Sequence, residues 1–97
     1  MRTTRFLLPA EIEMVEAAVY YEMQVEGLGT AFLAKVKSVV RDVAARPAAW
    51  PIVRNDIRKR LVHRFPYAVL YRLDPEEIVI VAVMHQRRRP DYWLGRM

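Results

Sequence analysis

The run Ile78-Val79-Ile80-Val81-Ala82-Val83-Met84 restricts the fold more than any other part of the chain. It is apolar throughout, rich in valine and isoleucine, and shows no alternation with polar residues. Such a segment predicts a strand buried on both faces, in the interior of a sheet. The run stops abruptly at His85-Gln86-Arg87-Arg88-Arg89-Pro90-Asp91-Tyr92-Trp93. An interior strand that ends in three arginines and two aromatics sets a cationic, stackable surface at one edge of a rigid scaffold. That edge is the candidate functional site.

The segments before it supply the layers that bury such a strand. Thr3 to Leu8 reads as a short first strand. Pro9 suits the first turn of a helix over about 9–25, and Glu11 and Glu13 sit near the positive end of its dipole. This helix has two apolar stripes, Ile12-Val15-Val19-Met23 and Met14-Ala18-Tyr21-Val25, and so calls for two partners. Glu26-Gly27-Leu28-Gly29 is long enough only for a helical hairpin, with Thr30 as the expected N-cap of a second helix running to about Arg46. Phe32, Leu33, Val36, Val39, Val40 and Val43 mark that helix's buried face.

Pro47 to Pro51 reads as a loop, with Trp50 plugging the core. From Ile57, alternation places Ile57, Leu61, His63 and Phe65 inward and Arg58, Arg60, Val62 and Arg64 outward. Tyr67 to Leu73 is a second strand, and Asp74-Pro75-Glu76-Glu77 is a tight turn into the apolar run. The predicted class is α+β, in a single domain over 1–97. It has an N-terminal strand, an αα-hairpin, and a three-stranded antiparallel meander with both helices on one face of the sheet.

Composition narrows the chemistry. With 54% hydrophobic and 28% charged residues in 97, a globular domain is expected. Without cysteine, disulfides and thiolate chemistry are excluded, and a cytoplasmic location fits. The basic start has too short an apolar stretch for an export signal, and no run is long enough to span a membrane.

The net charge of +5 lies wholly in residues 54–97, which hold ten basic and five acidic side chains, nine of the basic ones arginine. An anionic partner is expected, either nucleic acid or an acidic protein segment. The candidate surface is Arg58, Arg60, Arg64, Arg87, Arg88, Arg89, Tyr92 and Trp93. The plainer alternative is a solvated arginine turn and an aromatic lid on the core.

His63 and His85 lack companions at metal-ligand spacing, so no metal site is expected, and no cofactor motif is present. His85, at the junction of apolar strand and arginines, is the candidate general acid or base, with a structural role as the plainer alternative. The three glycines form no phosphate loop, and Ser38, the only serine, lies mid-helix.

Several pieces recur in a fixed order: Tyr20-Tyr21, Gly27-Leu28-Gly29 before Phe32, Pro47 with Trp50-Pro51, Arg64-Phe65-Pro66-Tyr67 with Tyr71-Arg72, and Ile80 to Val83 before His85, Arg87 to Pro90 and Tyr92-Trp93. In that order they resemble the RelE/ParE superfamily of toxins from type II toxin–antitoxin modules. The resemblance implies a cytoplasmic growth inhibitor and a cognate antitoxin whose acidic C-terminal segment wraps the toxin. RelE-like members cleave mRNA on the ribosome without metal; ParE-like members inhibit DNA gyrase.

In the ribonucleases an arginine is expected after the tyrosine that opens the middle strand, where this chain has Ala68 after Tyr67. The missing cation would stabilise a pentavalent phosphate. The ParE-like, non-enzymatic reading is therefore favoured. A ribosome-dependent endoribonuclease is the alternative, with His85, Arg87 and Tyr92 as catalytic candidates. A toxin fold that has become a binding module without activity is the second alternative.

Overall fold

The computed structural model describes residues 2–96. Strand β1 (Thr3–Phe6) leads into helices α1 (Leu8–Gln24) and α2 (Leu28–Ala45). Strands β2 (Ile52–Arg54), β3 (Ile57–Leu61), β4 (Tyr67–Leu73) and β5 (Glu77–His85) follow, and a 3-10 turn (Leu94–Arg96) comes last. The five strands form one sheet in the order β1-β5-β4-β3-β2. β1 runs parallel to β5, and the other neighbours are antiparallel.

The α+β class and the helix pair on one face are as expected. The meander, however, has four strands rather than three. β2 escaped the sequence reading because three residues are too few to show a period, and all three are exposed. Asn55 closes its hairpin at φ 51, a left-handed conformation that asparagine tolerates.

All of Ile78 to Met84 is buried. The missing alternation has a local cause as well as a global one. Leu70 pairs with Ala82 and Tyr71 with Ile80, so Val81 is the extra residue of a bulge. The bulge resets the pleat. Ile78, Ile80 and Val83 join the core under the helices, while Val79, Val81, Ala82 and Met84 face the other side. That second side is covered by the C-terminal segment, whose Trp93 is only 2% exposed and packs with Ile57 and Leu70. Each side chain of this size buried in either layer contributes roughly 1.5–3 kcal/mol.

The helical hairpin is tighter than the sequence reading had it. Thr30 is not the N-cap; it lies inside α2, and Gly27 caps the helix at φ +87, which glycine adopts without strain. The orphan donors are satisfied from α1: Gly27 and Gly29 N–H groups donate to the Glu22 carboxylate at 2.7 and 2.9 Å. Gly29 has a second role. A Cβ there would sit 2.3 Å from the Ala18 carbonyl oxygen, so the close helix crossing requires its absence.

α1 buries Ala10, Ala17 and Ala18, with Met14 and Tyr21 packed against the same core. Its other stripe, Ile12, Val15, Val19 and Met23, is exposed, and so is Val25 beyond the helix end. The faces of β3 are inverted from the sequence expectation. Val62 belongs to the helix-side core, and Arg60 reaches Asp42 of α2, whereas Ile57 packs on the Trp93 side. Leu61 is exposed rather than buried. Alternation gives the period of a strand but not which side meets the helices.

Candidate functional site

β5 delivers the candidate residues to one end of the sheet, where a tight turn follows. The Gln86 N–H donates to the Pro66 carbonyl at 2.8 Å, and the Arg88 N–H to the His85 carbonyl at 3.0 Å. The Arg87 N–H donates to His85 Nδ1 at 3.0 Å. The chain then crosses back over the sheet. Asp91 accepts an ion pair from Arg54 at 2.6 Å, tying the segment to β2, and Trp93 enters the core.

The residue that organises this end is Glu13, on α1. It is 12% exposed, and its carboxylate accepts from Arg96 at 2.8 and 2.9 Å, from the Tyr92 hydroxyl, and from the Val83 backbone N–H at 3.1 Å. Arg88 lies 3.7 Å from the same carboxylate and stacks over the Tyr92 ring at 3.9 Å. Arg96 also donates to the Val81 carbonyl at 3.1 Å. β1 follows β5 only as far as Ile80, whose carbonyl accepts from the Leu7 N–H. Glu13 and Arg96 thus satisfy edge groups that a longer β1 would have paired. Sequence reasoning placed Glu13 only as a dipole-favoured acid and passed over Arg96. Partners some 70 to 83 residues away leave no local signal.

The predicted surface separates into four groups. Arg58 and Arg60 are engaged internally. Arg58 donates to the Trp50 carbonyl at 2.7 Å, and Arg60 pairs with Asp42 at 3.2 Å and lies over the Trp50 ring at 5.0 Å. Trp50 is half-buried against the helix-side core, as expected for a plug. Arg64 is exposed, in a turn at φ 73. Arg87, Arg88 and Arg89 are exposed together in the turn after β5, and neither Arg87 nor Arg89 joins an ion pair among the described residues. Tyr92 and Trp93 are the aromatic lid: one is held by Glu13, the other buried.

The chemistry available follows from these placements. Burial and the hydrogen bond to Glu13 push the Tyr92 hydroxyl well above the usual tyrosine range. A phenol so held stays protonated near neutrality. His85 spends Nδ1 on the Arg87 N–H and sits edge-on to Tyr67 at 5.1 Å, which leaves Nε2 as its free nitrogen. It lines a cleft of about 200 Å³ with Tyr20, Tyr67, Glu13 and Arg88. Ala68 is fully buried within β4, where an arginine side chain has no room. No group of three or more His, Asp or Glu among the described residues could hold a metal.

Two apolar clefts flank α2, each with a cationic rim. One, of about 370 Å³, is lined by Tyr21, Leu28, Phe65, Lys35 and Arg64. The other, of about 300 Å³, has Phe6, Met14, Val36 and Val40 between Lys37 and Arg41. Among the described residues, no helix is long and apolar enough to cross a membrane.

No curated protein sequence matches this chain. Among solved structures it resembles the chromosomal ParDE toxin–antitoxin system from P. aeruginosa, with a TM-score of 0.66 at 19% identity over 88% of this chain and 96% of that one. At that identity the likeness is one of fold. The family pattern of the ParE toxin of type II toxin–antitoxin systems matches residues 5–90. Beginning within the first strand and spanning both helices and the whole meander, that match makes the chain a member of the ParE toxin family.

Proposed function

We propose that the chain is a growth-inhibiting toxin that acts by binding DNA gyrase rather than by cleaving RNA. We further propose that a cognate antitoxin neutralises it. The observation that carries the non-hydrolytic reading is the state of Tyr92. Its hydroxyl is committed to Glu13 and its proton held by burial, so Tyr92 is not available as an acid–base partner for His85. Ala68 supports it, since the buried position that follows Tyr67 carries no cation. An exposed arginine cluster on a stiff strand end is instead suited to gripping a carboxylate-bearing surface. The two cation-rimmed apolar clefts along α2 suit an antitoxin segment that alternates acidic and apolar residues.

The test uses purified protein in two assays, gyrase supercoiling and translation of a reporter mRNA. The expected result is loss of supercoiling with intact mRNA, and weaker inhibition by Arg87→Ala together with Arg89→Ala. Codon-phased mRNA cleavage that disappears in His85→Ala would overturn the reading in favour of a ribonuclease.

A further inference from the structure

The outward face of α1 meets the surface described above only at Glu16, which also lines the His85 cleft. Leu8, Ile12, Val15, Val19 and Met23 recur at helical spacing, and their exposures of 67%, 47%, 50%, 53% and 80% are high for large apolar side chains. The stripe runs about 22 Å at 1.5 Å per residue, the length of four helical turns. Its flanks carry Glu16 on one side and Glu11 and Glu22 on the other, and α1 contains no basic residue at all. Glu22 is occupied by the glycine N–H groups, but Glu11 and Glu16 join no ion pair among the described residues.

We infer that this face docks a partner's amphipathic helix whose apolar ridge is bordered by lysine or arginine. The carboxylates decide among occupants. An anionic lipid surface would be repelled, since interfacial helices use basic flanks. A second copy of the chain packed antiparallel would set Leu8 against Met23 and Ile12 against Val19. It would also bring Glu16 close to its own equivalent at the centre, where like charges oppose pairing. An acidic segment suited to the arginine turn or the α2 clefts meets the same repulsion here. The inference does not depend on the gyrase reading: the face is a second docking surface of opposite charge character.

Two designed helical peptides provide the probe, both with leucine at i, i+4, i+7 and i+11, one flanked by lysine and the other by glutamate. Fluorescence anisotropy reads binding to the full chain, to Val15→Lys/Val19→Lys, and to Glu11→Lys/Glu16→Lys. Both valines are half exposed, so the first double variant should fold, as circular dichroism verifies. Binding of the lysine-flanked peptide is expected. It should be lost in the valine variant and should weaken by roughly ten-fold or more in the charge-reversed variant, which then prefers the glutamate-flanked peptide. Three results would overturn the inference: no binding of the lysine-flanked peptide; binding unchanged by charge reversal; or self-association of the chain, by sedimentation, that the valine variant abolishes.

Discussion

Single residues carry unequal weight in this fold, and the two glycines of the hairpin show why. Gly27 needs glycine for its dihedral angle: nothing lies within 4 Å of a Cβ built on it. Gly29 needs glycine for space, because the obstructing atom is the backbone carbonyl of Ala18. Gly27→Ala should therefore cost about 1 kcal/mol. Gly29→Ala should cost about 2–3 kcal/mol by forcing the helices apart. Urea unfolding of both variants checks the order, and equal costs would show that the helices yield more readily than their contact suggests. The sequence reading had the spacing of these glycines but gave the cap to Thr30. Capping preference is local, whereas the actual acceptor, Glu22, arrives from the preceding helix.

Among the elements, the C-terminal segment behaves as a strap fixed at three points: Asp91 to Arg54, Trp93 in the core, and Tyr92 with Arg96 on Glu13. Glu13→Ala leaves a partly buried guanidinium without its carboxylate, and a phenol and a backbone N–H without their acceptor. A loss of about 2–4 kcal/mol is expected. Hydrogen exchange should rise across Tyr92 to Arg96 and at Val83, while α2 stays protected. Arg88→Ala is the contrasting case. Its side chain is 54% exposed and 3.7 Å from the carboxylate, so its ion pair should contribute less than about 1 kcal/mol. The sequence reading offered an aromatic lid as the plainer alternative for Tyr92 and Trp93, and that is where they sit. Their anchor could not be read, because only the fold brings α1 to the edge of β5.

Across the whole molecule, charge is segregated: an apolar and acidic helix face, and a basic strand end with cation-rimmed clefts. Acid titration should report on the surface carboxylates held by hydrogen bonds and ion pairs. Glu22 is held low chiefly by the Gly27 N–H, Asp74 by its bond to Arg72, and Glu77 by its bond to Arg5. A carboxyl whose folded value lies below its unfolded one stabilises fully above the ordinary range and loses that contribution as pH falls through the folded value. Thermal stability should therefore begin to decline below about pH 4.3. The decline should be shallower in Glu22→Gln, which removes one titrating group. A profile that falls instead between pH 8 and 6 would place the controlling group elsewhere.

The sequence by itself determined the order of elements other than β2, the burial of Ile78 to Met84, the core face of α2 and the basic end of β5. Each of these depends on a repeat or run contained within one segment. The tertiary structure decided which side of β3 faces the helices, where the bulge at Val81 resets the pleat, and which arginines are free. Arg58 and Arg60 look the same as Arg87 and Arg89 in sequence. Only packing shows that the first pair is held by Asp42 and the carbonyl groups around Trp50, while the second pair is left to solvent. A side chain's charge is local, but its availability depends on what the fold brings within about 4 Å of it.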